Sequence, residues 1–92
     1  MEIKTKGDEK KLEIELIEED HTFCNLLTKT LHEDPQIKFA AYDISHPYVS
    51  EPVVHIETNG DKSTYDALIE AIEKIINRAE EFKENLRNTL KQ

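Results

Sequence analysis

The stretch "EDHTFCNLL", residues 19–27, holds the side chains most able to do chemistry: His21 and Cys24, three residues apart, with Glu18, Glu19 and Asp20 just before them. That spacing brings two side chains together on one turn of a helix. A thiolate–imidazole pair would serve nucleophilic catalysis, but such a site also needs an orienting group and an oxyanion hole. Gly7 and Gly60 are the only glycines, so no Gly-rich loop stands near to supply one or to cradle a phosphate. A structural zinc site takes four ligands, usually as paired short spacings. His21, Cys24, His32, His46 and His55 form no such pairs. The acids at 18–20 suit the positive end of a helix better than a metal. Cys24 reads as a small buried residue and His21 as a residue at a helix entrance. We assign no catalytic, cofactor-binding or metal-ligating residue. His46-Pro47, followed by Tyr48 and Glu51-Pro52, makes a rigid polar loop suited to contact.

Those residues must be positioned by a small body. Ninety-two residues make one domain, residues 1–92, near the lower end of what buries a core unaided. Apolar content is 37% and charged content 35%, which describes either a marginal monomer or a subunit that completes its core on a neighbour. A net charge of −8 makes the chain a poor candidate for gripping nucleic acid on its own, since phosphate backbones reward clustered cations, and disfavours anionic membranes. A single cysteine makes no internal disulfide. No signal peptide and no apolar run of about 20 residues is present, so the expectation is a cytoplasmic chain.

Two runs, "MEIKT" and "KLEIELIEE", flank a turn at Gly7 and predict a hairpin; Leu12, Ile14 and Leu16 alternate with charges. Asp20 and Thr22 are candidate N-caps for a helix of about three turns carrying Phe23, Leu26, Leu27, Thr30 and Leu31, ended by Pro35. In "IKFAAYDIS" the period places Ile37, Phe39 and Ala41 on one side and Ala40, Tyr42 and Ile44 on the other. Neither side is strongly polar, which predicts a central strand covered on both faces. "VVHIET" follows as a short strand and "NGDKS" as a turn. From Ser63 onward there is neither Gly nor Pro. Tyr65, Leu68, Ile72, Ile75, Ala79, Phe82 and Leu86 then recur at helical spacing, widened by Ile69 and Ile76 and extended by Leu90. The order β-β-α-β-β-α predicts a two-layer α+β domain, a small sheet with helices on one face and a long C-terminal helix. Leu12, Ile14, Leu16, Leu26, Phe39, Ile56, Leu68 and Ile72 are the expected core.

That terminal helix outreaches the domain. About thirty residues span about 45 Å, whereas a compact chain of this length is roughly 32 Å across. Phe82, Leu86 and Leu90 therefore lie on an apolar stripe beyond the chain's own sheet, each worth about 1.5–3 kcal/mol if buried. Such a stripe calls for a partner's surface. A homodimeric module joined through this helix fits the same pattern.

"EDHTFCNLL", an acid and proline, "FAAY" and "HP", in that order, resemble the archaeal DNA-directed RNA polymerase subunit L family and its eukaryotic counterparts. They are more distantly similar to the amino-terminal dimerisation domain of the bacterial alpha subunit. The resemblance covers the whole chain; Cys24 stands where glycine or alanine is common, and Tyr48 where leucine is. It implies a non-catalytic subunit that pairs with the polymerase's D subunit through both helices, joins small subunits N and P, and faces the largest catalytic subunit in a platform for polymerase assembly. It assigns Asp20, His21, Thr22, Asn25 and Leu26 to the motif helix and His46 and Pro47 to the matching loop. On this basis the expected interface is Phe23, Leu27 and Leu31 with Ile75, Ala79, Phe82, Leu86 and Leu90. Nucleic acid and catalytic metal would then belong to other chains.

Overall fold

The hairpin turn is built around one left-handed residue. Gly7 takes φ 129°, and a Cβ there would stand 2.2 Å from the Lys11 carbonyl oxygen. Asp8 completes the turn by accepting the backbone amides of Lys10 (2.9 Å) and Lys11 (3.0 Å), a side-chain mimic of a backbone turn. The computed structural model describes residues 2–17, 21–43 and 52–91, with His21 described by its backbone alone. The elements are β1 (Glu2–Gly7), β2 (Lys11–Ile17), α1 (His21–His32), β3 (Ile37–Asp43), β4 (Val53–Thr58) and α2 (Thr64–Leu90).

The strands form one antiparallel sheet in the order β1-β2-β4-β3. β2 and β3 are therefore parallel to each other, joined by α1, with β4 inserted between them. Leu12, Ile14 and Leu16 of β2 and Val54 and Ile56 of β4 are buried beneath α1 and α2, while Lys11, Glu13, His55 and Glu57 point away from the helices. This is the expected two-layer α+β arrangement.

The strand "IKFAAYD" departs from expectation in two ways. It is an edge strand, paired with β4 alone, and not a doubly covered central one; β4 takes the centre. Its register also slips between Ile37 and Phe39, where Lys38 is the extra residue. A bulge of one residue reverses the side-chain phase. Ile37 and Ala40 consequently share the buried face, and Phe39, expected in the core, is 48% exposed on the other side of the sheet. Leu26 is likewise 46% exposed, because the buried stripe of α1 runs through Cys24, Leu27, Thr28, Thr30 and Leu31. The threonines in that stripe are satisfied within the helix: Thr28 donates to the Cys24 carbonyl (2.7 Å) and Thr30 to that of Leu26 (2.8 Å).

α2 starts where Ser63 accepts the amide of Asp66 at 3.1 Å, the N-cap bond that a hydroxyl makes to the first turn. The same end is tied to the hairpin turn, since Thr64 donates its amide to Glu9 O (2.6 Å) and its hydroxyl to Asp8 O (2.7 Å). Thr64, Ala67 and Ala71 are buried, and Leu68, Ile72 and Ile75 pack partly against the core. Tyr65, Ile69 and Ile76 open to solvent.

Candidate partner-binding surface

Twenty-seven residues of α2 reach about 40 Å at about 1.5 Å per residue. The molecule measures 49 × 37 × 17 Å with a radius of gyration of 15.2 Å, where a compact chain of this length would have about 12 Å. No residue of α2 beyond Ile75 is buried or half-buried. Phe82 is 68% exposed, Leu86 45% and Leu90 74%, with Ala79 exposed between Ile75 and Phe82. The sheet supports only the first half of the helix.

Two ionic ties hold that first half against the end of α1. Lys62 Nζ contacts Asp34 Oδ2 at 2.7 Å and also Glu70. Arg78 grips Glu33 with both guanidinium nitrogens, Nη1 to Oε2 at 2.9 Å, and Lys74 stands 3.8 Å from the same carboxylate. The Lys62 ammonium holds the Asp34 carboxyl below its ordinary range, and Asp34 in turn raises Lys62. Arg78 does the same to Glu33. Glu33, Asp34, Lys62, Glu70 and Lys74 line one cleft between the helices. Because each cation there already faces a carboxylate, the cleft holds α2 at its angle and leaves no cation over for a ligand.

The expected interface residues fall into three groups. Leu27 and Leu31 are buried in the chain's own core and have no surface left to give a partner. Phe23 and Ile75 are half-buried against that core. Ala79, Phe82, Leu86 and Leu90 form one exposed apolar line. The family-motif residues Thr22, Asn25 and Leu26 are exposed together on the outward side of α1, with Lys29 one turn further. α1 begins at His21, so Thr22 lies inside its first turn and does not cap it. Asp20, His46 and Pro47 lie outside the described residues, as does the His21 side chain.

The chemically tempting residues are dispersed. Cys24 is fully buried in the core. His32 donates from Nε2 to the Ala40 carbonyl at 2.7 Å, tying the end of α1 to β3. His55 lies on the outer face of the sheet between Glu13 (3.5 Å) and Asp43 (3.4 Å). Among the described residues no three His, Cys, Asp or Glu side chains converge as metal ligands. No helix of the described residues is long and apolar enough to cross a membrane.

Two exposed apolar positions escape a reading of the sequence. Ile3 points to the helix side of β1, where the helical layer has already ended, and Phe39 occupies the outer sheet face. The alternation of Ile3 with charged neighbours is visible in the sequence, but not that β1 lies outside the cover of both helices. A family model described as RNA polymerase Rpb3/Rpb11 dimerisation domain matches residues 11–85, from β2 into the unsupported half of α2. The chain belongs to that family. It is 43% identical over 89 residues to DNA-directed RNA polymerase subunit Rpo11 of Thermococcus sibiricus, covering 95% of this chain and 94% of the relative. To the subunit of the same name from Pyrococcus horikoshii it is 49% identical over 78 residues, covering 83% of this chain and 82% of the relative. Its fold is shared with DNA-directed RNA polymerase subunit L from Thermoplasma acidophilum, with a TM-score of 0.83 at 22% identity over 95% of this chain and 86% of that one. The family is thus that of a dimerisation-domain subunit of DNA-directed RNA polymerase, as the ordered motifs implied.

Proposed function

We propose that this chain is a non-catalytic subunit of a cytoplasmic DNA-directed RNA polymerase, pairing with the D subunit to form the platform on which the enzyme assembles. One observation carries the reading: the outer half of α2 keeps an apolar line of Ala79, Phe82, Leu86 and Leu90 where its own sheet does not reach. Leaving these side chains in water forgoes about 1.5–3 kcal/mol for each large one. A partner helix crossing here would bury them, with Phe23 and Ile75 at the junction. The outward side of the motif helix, Thr22, Asn25 and Leu26, then remains for a further subunit, the largest catalytic one, with small subunits N and P completing the platform. Template and catalytic metal are held elsewhere in the assembly, which suits a chain of net charge −8.

The test is coexpression with the D subunit from the same genome. Wild type copurifies with it at equal stoichiometry and enters polymerase. Phe82→Asp/Leu86→Asp puts two charges into the apolar contact, each costing several kcal/mol when desolvated, of order 2–7, and abolishes copurification. Its circular dichroism remains mixed α/β, because both positions lie outside the chain's own core. A double variant that binds as tightly as wild type would overturn the reading, and one that unfolds alone would show the helix packing on its own sheet.

A further inference from the structure

The connector from β4 to α2, Asn59-Gly60-Asp61-Lys62-Ser63, opens on an asparagine followed by a glycine. The other asparagines, Asn25, Asn77, Asn85 and Asn88, lie inside helices. They precede Leu26, Arg78, Leu86 and Thr89, whose amides are committed to helical hydrogen bonds and flanked by side chains. Asn59 differs on each count. It is exposed, it lies outside any helix or strand, and its successor has no side chain. Gly60 takes φ 102°, and a Cβ built there would meet no atom within 4 Å, so the space around it is open. Among the described residues its amide reaches only Thr58 Oγ1, at 3.3 Å, a contact too long to hold it firmly.

The Asn59 side chain folds forward over that amide. Its Oδ1 accepts the N–H of Asp61 at 3.0 Å, the closure by which an asparagine mimics a backbone turn. Such a closure lays the side-chain amide carbon alongside the Gly60 nitrogen. If that carbon is attacked, the oxygen that takes up the negative charge already faces a backbone donor. Holding the two reacting groups in one turn also makes the attack intramolecular.

We propose that Asn59-Gly60 is a site of spontaneous covalent modification, where the folded chain converts asparagine to aspartate and isoaspartate, and that the isoaspartyl form loosens the seat of α2. The Gly60 nitrogen gives up its proton to base and bonds to Cγ of Asn59. The Cγ–Nδ2 bond breaks, and its nitrogen leaves as ammonia after taking a proton from water. Water then opens the resulting five-membered imide. Addition at Cγ restores the ordinary backbone with aspartate at position 59. Addition at the main-chain carbonyl carbon leaves the chain running through the side chain, one atom longer. The sum is one amide and one water giving one carboxylic acid and one ammonia, with no oxidant and no second protein. One atom matters because the connector is pinned at both ends. Asn59 N donates to Gln36 O at 3.0 Å, Lys62 Nζ to Asp34 Oδ2 at 2.7 Å, and Thr64 to the hairpin turn through its amide and its hydroxyl. These are the bonds that set where α2 starts.

The inference stands apart from the pairing with the D subunit and is tested on the full-length chain alone. The folded chain is incubated at neutral and mildly alkaline pH and sampled over days. Peptide mass mapping locates each amide-to-acid conversion, and isoaspartyl methylation counts the isomerised product. Conversion should be confined to residue 59, give both products of the shared imide, and quicken as pH rises, because the attacking amide must lose its proton. Asn59→Ser keeps an oxygen able to accept the Asp61 amide and should lose the conversion with circular dichroism unchanged. Separated by ion exchange, the isoaspartyl chain should melt below the fresh one. An unconverted Asn59 in the folded chain, under conditions where the urea-unfolded chain converts it, would overturn the site. Conversion spread equally over Asn25, Asn77, Asn85 and Asn88 would do the same. An isoaspartyl chain with the Tm of the fresh chain would refute the loosening of α2.

Discussion

Gly7 and Cys24 show how single residues serve the frame without taking part in chemistry. At Gly7 the backbone is left-handed and a methyl group would collide with the Lys11 carbonyl, which is backbone and cannot step aside. Gly7→Ala should therefore lower stability by about 1–3 kcal/mol from strain alone, several degrees in Tm for a domain this size. Differential scanning calorimetry measures it, and an unchanged Tm would mean the hairpin can re-form its turn. Cys24 is fully buried, and Phe23 beside it packs against the core. Its thiol should react with a water-soluble disulfide reagent only as fast as the chain opens, and Cys24→Ala should cost about 1 kcal/mol, the scale of one buried methylene-sized group. Rapid labelling of the native chain would reverse the structural reading of this residue and reopen the catalytic one.

Among the elements, the two helices are tied by charge as well as by packing, and this makes their docking sensitive to acid. The tie holds the carboxyls of Asp34 and Glu33 below their ordinary values, so its contribution is complete above about pH 5 and is lost as pH falls through the ordinary and then the lowered native values. On the alkaline side the raised Lys62 keeps its proton beyond the usual lysine range. Asp34→Asn keeps the side-chain oxygen that accepts the Gln36 amide (2.9 Å) but removes the charge facing Lys62. Its Tm should lie below that of wild type at pH 7, by a few degrees at most for such a solvent-facing tie, and the gap should close in strong acid. Parallel curves throughout would show that the tie adds nothing. The elements themselves are legible in the sequence because each has one dominant period: two in Leu12–Leu16, and a helical stripe after Ser63. The edge position of β3 is not, since nothing local distinguishes a central strand from an edge one that a helix covers. The bulge at Lys38 is hidden too. A single extra residue changes which side chains are buried without changing composition, so Phe39 is misplaced by a pattern that is correct on either side of it. For the candidate interface, spacing finds the outer line of α2, but Leu27 and Leu31 are indistinguishable from it until the sheet beneath them is seen.

At the scale of the molecule, one helix belongs to two bodies. Its first half is held by the N-cap at Ser63, the bonds from Thr64 to the hairpin turn, and the ties to Glu33 and Asp34. Beyond Arg78 it has helix propensity and no tertiary support among the described residues. Separated from its anchor, a segment of about 14 residues would be marginal, since isolated helices shorter than about 12–15 residues are. Joined to a formed helix it escapes the cost of nucleation and frays from its free end. Hydrogen exchange on the free chain should therefore show protection highest from Ala67 to Ile75 and falling progressively toward Leu90. Opening energies that grade from near zero at a frayed end to the global value in a core are the general expectation for such an element. Addition of the D subunit should raise protection chiefly beyond Arg78, because burial of Phe82, Leu86 and Leu90 supplies the support that is missing. Leu12–Leu16 should change little, since their core is complete before binding. Uniform protection of α2 in the free chain would mean that the outer half is stable by itself, and that its apolar line is not waiting for a neighbour. Protection that rises at Thr22, Asn25 and Leu26 but not beyond Arg78 would place the partner on the motif helix, leaving the outer half of α2 for another chain of the polymerase.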